Sequence, residues 1–179
     1  RPRETRCSRQ EVRRVVFRRS ACACAGGVGD RSLIMFLSLV AGLGNPGREY
    51  EHTRHNLGWV MLHALAKKHG LTWKRAAQFE AEVARWEFAP GRTRWLMKPL
   101  TFMNLCGRSV GAMARYHKLE PSGVAAVYDD LTIDFGLIKV TTSGSAGGHN
   151  GVASLLEHLG GGFVRYRIGI GPKQPAQMD

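Results

Sequence analysis

Histidine, aspartate and asparagine recur in short polar segments that each follow an apolar run. His55 can accept a proton near neutral pH, and Asp129 can hold the imidazole in the tautomer that accepts it. The asparagines Asn45, Asn104 and Asn150 offer neutral amides that hold a carbonyl oxygen or a water without adding charge. One base, one carboxylate and several amides favour hydrolysis at a carbonyl over metal or covalent catalysis.

The elements that must position these residues follow an α/β pattern, because short apolar runs alternate with helical periods from Met35 onward. We predict strands at 36–41, 82–87, 94–97, 124–128, 137–141 and 164–170, and helices at 59–69, 110–117 and 152–158. Three polar segments begin where a predicted strand stops, at Gly42, Lys98 and Asp129. Since ligands of open α/β sheets collect beyond the carboxyl ends of strands, we expect these segments to form one site.

Composition is that of one soluble globular domain, with 44% apolar and 22% charged residues. No apolar stretch approaches the roughly 20 residues needed to cross a bilayer, so we expect no membrane span. The formal net charge is +12, of which nine arginines and three acidic residues place +6 in residues 1–34 and leave +6 for the rest. A basic body favours an anionic partner such as nucleic acid, although solvated lysines and arginines give the same count.

Residues 1–34 form a basic leader with no apolar period, and the composition changes at Met35. Three interpretations compete: a targeting leader, upstream sequence with Met35 as the true start, or a disordered basic arm. Transit peptides are poor in acidic residues, so the second is favoured. Three of the four cysteines lie in this leader, which disfavours a disulfide scaffold.

A glycine pattern suggests a dinucleotide-binding turn, because Gly42, Gly44 and Gly47 spell G-x-G-x-x-G after a predicted strand. Pro46 interrupts the expected helical turn, and the acidic residue expected about 20 positions later is absent. We therefore interpret the glycines as allowing a sharp turn that brings Asn45 close to a ligand.

Other chemistries are less favoured by the sequence. Cys106 is a possible nucleophile, but such a cysteine is more often a buried apolar residue. His149 is a possible zinc ligand together with His55 and Asp129, and Asp129 with Asp130 is a possible magnesium site. Neighbouring glycines, asparagines and a shortage of oxygen ligands disfavour both metal sites, so we predict no metal.

Phosphate and base contacts also have candidates. The cations are Lys98, Lys139, Arg165 and Arg167, and the aromatic side chains are Tyr50 and Phe102, which are suited to stacking.

Five segments, in order, resemble bacterial-type peptidyl-tRNA hydrolases: GLGNPGREYEHTRHNLG, KPLTFMNLCG, YDDLTIDFG, GSAGGHNG and FVRYRIGIG. The resemblance runs from about Phe36 to Pro172. It implies hydrolysis of the ester between peptide and tRNA, which recycles tRNA from stalled or aborted translation, without a cofactor. We predict a single α/β domain over residues 35–179, with a twisted mixed sheet flanked by helices on both faces in three layers.

The same resemblance implies roles for individual residues. His55 would activate water, Asp129 would orient the imidazole of His55, and Asn45 would contact the peptide. Substrate contacts would come from Tyr50, Phe102, Met103, Asn104 and Asn150, and tRNA phosphate contacts from Lys139 and Arg167.

Three departures from the family pattern matter, and the mildest is Cys106 in place of the usual serine. Thr141 stands where the family often has a phosphate-binding lysine, so Lys139 is expected to take over. We also expect the family's last strand and C-terminal helix to be missing after Asp179. The expected partner is the acceptor end of peptidyl-tRNA, and we expect a cytoplasmic monomer, or an organellar protein if residues 1–34 are a transit peptide. The alternative function is a non-catalytic RNA-binding protein of the same fold.

Overall fold

A computed structural model describes residues 37–171 of the chain, and the predicted leader lies outside these residues. Within them, seven strands form one mixed sheet in the order β2-β3-β4-β1-β5-β7-β6. The strands are β1 (Leu39–Gly42), β2 (Lys74–Ala76), β3 (Ala81–Ala89), β4 (Arg92–Pro99), β5 (Val124–Asp130), β6 (Ile138–Thr141) and β7 (Val164–Gly169). The four central strands are parallel, and antiparallel strands lie at both edges. The predicted mixed sheet is confirmed.

Helices cover both faces of this sheet. They are α1 (Leu57–Lys68), α2 (Cys106–Tyr116) and α3 (Asn150–Leu159). Val40 and Val127 face α1, whereas Ala41 and Ala126 belong to the core shared with α2 and α3. Because successive strand residues point to opposite faces, neighbouring residues of one strand enter different cores. The predicted three-layer arrangement is therefore confirmed.

Helix α1 approaches the sheet very closely at its first turn. A Cβ atom added at Gly58 would lie 2.3 Å from the carbonyl oxygen of Val127 and 2.5 Å from the amide nitrogen of Leu43. A Cβ atom at Gly42 would lie 2.6 Å from the carbonyl oxygen of Gly58. Gly42, the first glycine of the G-x-G-x-x-G pattern, therefore allows α1 to pack closely against the sheet. This contact holds the segment just before α1 against the end of β5.

Several predicted boundaries were wrong. β1 includes Gly42, β4 continues through Lys98 and β5 continues through Asp130, so all three polar segments begin inside strands. β5 is longer than predicted because its parallel pairing with β7 includes Asp129 and Asp130, although both residues are charged. The short edge strand β2 was not predicted.

The helix α2 was predicted to begin at Val110 but begins at Cys106. Its first turn is buried through small and polar residues: the amide of Gly107 donates to Ser154 Oγ at 3.0 Å, and Ser109 Oγ donates to the carbonyl of Phe79. An apolar period does not reveal burial of this kind.

Two short 3-10 turns, Arg54–Asn56 and Met103–Leu105, directly precede α1 and α2 and carry three of the predicted site residues, His55, Met103 and Asn104. No helix among residues 37–171 is long and apolar enough to cross a membrane.

Candidate active site

His55 and Asp129, which are far apart in sequence, form a contacting pair. Nδ1 of His55 lies 3.0 Å from Oδ2 of Asp129. The Asp129 side chain is 2% exposed and that of His55 is 59% exposed, so the imidazole bridges a buried carboxylate and solvent. Since Asp129 is an acceptor, the neutral imidazole carries its proton on Nδ1, and Nε2 is the nitrogen left to accept one.

The electrostatics keep Asp129 ionised. Burial would raise the pKa of Asp129, but hydrogen bonds from His149 and His55 outweigh it and lower the pKa to about 2. The hydrogen bond to Asp129 raises the pKa of His55 above its usual value of 6.5, while partial burial and the charge of Arg54 oppose the rise. An anionic orienting group and a basic imidazole are what general-base catalysis requires.

A second histidine holds the other oxygen of the same carboxylate. Nε2 of His149 lies 3.4 Å from Oδ1 of Asp129. Nδ1 of His149 accepts hydrogen bonds from the amides of Gly151 at 3.1 Å and Val152 at 3.3 Å, which caps helix α3. Sequence reasoning considered His149 as a possible metal ligand and did not predict that it caps α3. No spacing rule signals this double role, because histidine is an uncommon cap.

One ligand atom each from His55, Asp129 and His149 lies within 4.8 Å of the others, as a metal site would require. A neutral imidazole that binds a metal through Nε2 must carry its proton on Nδ1. Nδ1 of His149 instead faces two amide donors, so metal binding would break the cap of α3. These hydrogen bonds indicate that Nε2 of His149 carries a proton and does not serve as a metal ligand.

Asn45 is held by hydrogen bonds on three of its polar groups. Its amide donates to Oδ1 of Asn56 at 2.6 Å, and its carbonyl accepts from Nδ2 of Asn56 at 3.1 Å. Its side-chain Oδ1 accepts from the amide of Met103 at 2.7 Å. The side-chain nitrogen of Asn45 makes no hydrogen bond to another described residue, so it is left for a ligand. Sequence reasoning missed Asn56, whose role depends on a contact across 11 residues that no local pattern reveals.

The turn that carries Met103 and Asn104 meets the start of α3. A Cβ atom at Gly151 would lie 2.6 Å from Sδ of Met103, and Cys106 Sγ donates to the carbonyl of Gly151 at 3.5 Å. Met103 is buried, whereas Asn104 and Asn150 are both exposed. The two asparagines therefore lie on segments in contact, at the surface beside the His55–Asp129 pair.

Cys106 is not suited to nucleophilic attack. Its side chain is buried, and burial raises the pKa of the thiol to about 12. The thiolate, which is the reactive form, is therefore negligible near neutral pH.

An aromatic pair borders the same surface. The rings of Tyr50 and Phe102 lie 6.5 Å apart with an interplanar angle of 83°, an edge-to-face contact. Phe102 is 53% exposed, so its ring face is open to a ligand.

The predicted phosphate-binding cations separate into two groups. Lys139 and Arg167 are direct partners on β6 and β7 and so share a face, with Lys139 exposed and Arg167 Nε 2.8 Å from Asp130 Oδ2. Arg165 is buried and donates to the carbonyls of Gly144 and Ser145, and Lys98 lies 2.7 Å from Glu82. Lys98, Arg165 and Arg167 therefore all make polar contacts within the chain, whereas Lys139 makes no ion pair or side-chain hydrogen bond to another described residue.

Comparison with known proteins places this arrangement in a family. The family model for peptidyl-tRNA hydrolase matches residues 39–179. The chain is 44% identical over 146 residues to a peptidyl-tRNA hydrolase of Symbiobacterium thermophilum, covering 76% of this chain and 73% of that protein. It is 44% identical over 142 residues to the one from Gloeobacter violaceus, covering 79% and 71%.

A solved structure agrees with these sequence matches. The crystal structure of peptidyl-tRNA hydrolase from Acinetobacter baumannii superposes with a TM-score of 0.73 at 38% identity, covering 78% of this chain and 70% of that one. Fold, order of motifs and sequence identity thus agree, and the chain belongs to the peptidyl-tRNA hydrolase family.

Proposed function

We propose that this chain hydrolyses the ester bond between peptide and tRNA in peptidyl-tRNA, with His55 as the general base that activates water. The observation that carries the proposal is the exposed imidazole of His55, held through Nδ1 by the buried carboxylate of Asp129. Family membership supports the substrate class. The reaction returns free tRNA to translation.

The proposed chemistry needs only a positioned water, a base and donors. Nε2 of His55 takes a proton from water while the water oxygen attacks the ester carbonyl carbon. The resulting oxyanion is stabilised by neutral amide donors from the asparagines around the site. Collapse of the intermediate breaks the bond to the ribose oxygen, which takes the proton back from His55. Asp129 keeps the imidazole in the productive tautomer throughout.

The residues that contact the peptide side are assigned from their position. Asn45 would donate its free side-chain amide to the peptide, since Oδ1 already accepts from Met103. Asn104 and Asn150 would hold the ester and the water from their two contacting segments, and the buried Met103 would form the floor between them.

The residues proposed to contact tRNA are an aromatic pair and two cations. Tyr50 and Phe102 would stack on the acceptor end, because bases stack on exposed aromatic rings. Lys139 and Arg167 would bind a phosphate together from neighbouring strands, with Lys139 replacing the lysine that the family often has at the place of Thr141. We also propose that the protein is a monomer and that it acts in the cytoplasm without an organic cofactor. Residues 35–179 would form its single domain.

The test is release of N-acetylaminoacyl groups from charged tRNA by the wild type and by His55→Ala. Loss of the general base should lower kcat by about 10²- to 10⁴-fold while tRNA affinity is retained. His63→Ala, an exposed histidine on α1, is the matched control and should keep the wild-type rate. Equal rates for the wild type and His55→Ala would reject His55 as the general base, and a wild-type rate no faster than spontaneous hydrolysis would favour a non-catalytic RNA-binding role.

A further inference from the structure

Asp129 is held by two imidazoles at once, and only one of them belongs to the proposed proton transfer. His55 contacts Oδ2 and His149 contacts Oδ1 of the same carboxylate. The His149 side chain is only 12% exposed, and its ring lies 4.9 Å from the ring of Tyr128, so its orientation is fixed by packing.

Hydrogen bonds decide which nitrogen of His149 carries the proton. Nδ1 must be unprotonated, because it accepts from the amides of Gly151 and Val152. A neutral ring then has its proton on Nε2, the nitrogen that faces Asp129. A continuous path of hydrogen bonds therefore runs from the first turn of α3, through His149 and Asp129, to His55.

We propose that His149 is a positioning residue, which holds Asp129 toward His55 and couples the start of α3 to the catalytic base. The inference rests on the proposed role of His55. It gives a reason for histidine at the cap, since a shorter capping residue satisfies the amides of α3 but does not reach Asp129.

Two consequences for the base follow from this coupling. A carboxylate held at one oxygen only can rotate away from His55, which lowers the fraction of correctly placed base. The same carboxylate, freed from one donor, is also a stronger acceptor toward the other. The protonated form of His55 would then be stabilised, and its pKa would rise.

The other charged groups near the pair do not compensate for the loss of this donor. Arg54 lies beside His55 and opposes its protonation. Asp130 points to the opposite face of β5, where Thr132 and Arg167 hold it. Among the described residues, His55 and His149 are the two side chains that hydrogen-bond to Asp129.

The coupling also sets the place of a substrate-binding residue. Asn150 follows His149 directly and begins α3. A bond from His149 to Asp129 therefore ties the backbone of Asn150 to the carboxylate that holds the base. Loosening that bond should impair kcat more than KM for tRNA, because tRNA phosphate contacts lie elsewhere on β6 and β7.

Two variants separate the cap from the carboxylate contact. His149→Asn retains a good N-cap for α3 but is too short to hydrogen-bond to Asp129. His149→Gln carries its side-chain nitrogen at about the reach of Nε2, so it retains the donor to Asp129, although its oxygen lies one bond further from the backbone than Nδ1. Thermal unfolding should show that both variants remain folded.

The main readout is the titration of His55 in the full chain, followed by NMR with ¹⁵N-labelled histidine and assigned with His55→Gln. We expect the His55 midpoint to move to higher pH in His149→Asn and to return toward the wild type in His149→Gln. The acid limb of the kcat profile should move in the same direction. At its plateau, kcat of His149→Asn should be lower by about tenfold, the effect of one hydrogen bond to a charged group.

The titration needs no turnover, so it tests this inference even if the wild type fails to hydrolyse the substrate and the proposed function falls. A folded His149→Asn variant in which His55 titrates at the wild-type midpoint would overturn the inference. If wild-type hydrolysis and its loss in His55→Ala were seen together with that result, the proposed function would stand and only the role of His149 would be rejected.

Discussion

The substitution Asp129→Asn should disable His55 without touching the imidazole. The cap of α3 fixes His149 as a donor through Nε2, so the oxygen of the new amide must face His149. The new amide nitrogen then faces Nδ1 of His55 and donates to it. His55 is thereby forced to carry its proton on Nε2, the nitrogen that should accept one from water.

The substitution could lower kcat in two ways that differ in size: by weakening one hydrogen bond, or by placing the proton on the wrong nitrogen of His55. Weakening one hydrogen bond to a charged group costs about 1.5–3 kcal/mol, or roughly 10- to 150-fold in rate. Placing the proton on the wrong nitrogen removes the whole general-base contribution, about 10²- to 10⁴-fold. Since the contact at 3.0 Å leaves the imidazole a single partner on Nδ1, the second loss should dominate. Asp129→Asn should therefore match His55→Ala in kcat, and the double variant should be no slower than either.

Single-turnover hydrolysis of N-acetylaminoacyl-tRNA measures this loss directly. Asp134→Asn is the matched control, because it removes the charge of an exposed aspartate on the loop after β5 and should leave kcat unchanged. An Asp129→Asn variant that stays folded and retains more than about a tenth of wild-type kcat would refute the tautomer argument. Additive losses in the double variant would refute it as well, since the two residues would then act independently.

Two further predictions concern stability. Gly58→Ala would place a Cβ atom 2.3 Å from the carbonyl oxygen of Val127, so it should lower the free energy of unfolding by about 1–3 kcal/mol and should also lower kcat. Gly161→Ala is the control, because a Cβ atom there has nothing within 4 Å, and it should change neither quantity. Thermal unfolding and activity assays measure the two effects. The pKa of Asp129 is lowered from 3.8 to about 2, so its charge contributes about 2 kcal/mol that is present above the unfolded pKa and lost as the pH falls. Urea unfolding should therefore show the stability difference between the wild type and Asp129→Asn narrowing from about pH 5 to about pH 2, and a constant difference would contradict the lowered pKa.

The parts of the fold that were predictable carry a periodic apolar signal. Helix α1, predicted at 59–69, has Leu62, Leu65 and Ala66 on one face, and Leu62 and Ala66 are buried in the core against the sheet. The first turn of α2 carries no such signal, since Cys106, Gly107 and Ser109 are buried through small side chains and hydrogen bonds. Its burial depends on the position of α3, which a local pattern does not contain.

The site was predictable in its residue types but less so in its contacts. His55 and Asp129 were paired from chemical complementarity and from the family resemblance, and the structure brings them together. The hydrogen bonds of Asn45 to Asn56 and Met103 span 11 and 58 residues, so their existence depends on how three turns pack. The cap by His149 could not be read from the sequence because asparagine at position 150 is the better cap by composition.

The extension of β5 explains how one of two adjacent carboxylates is selected. Asp129 pairs with Ile168 and Asp130 with Gly169 in a regular parallel ladder, so the alternation of the strand sends the two side chains to opposite faces. Asp129 meets two imidazoles and is buried, while Asp130 meets Arg167 and Thr132. A flexible loop at this point would let either carboxylate reach His55, and Arg167 would then compete for the orienting group. The ladder removes that competition by fixing one carboxylate beside the base and the other beside the cation.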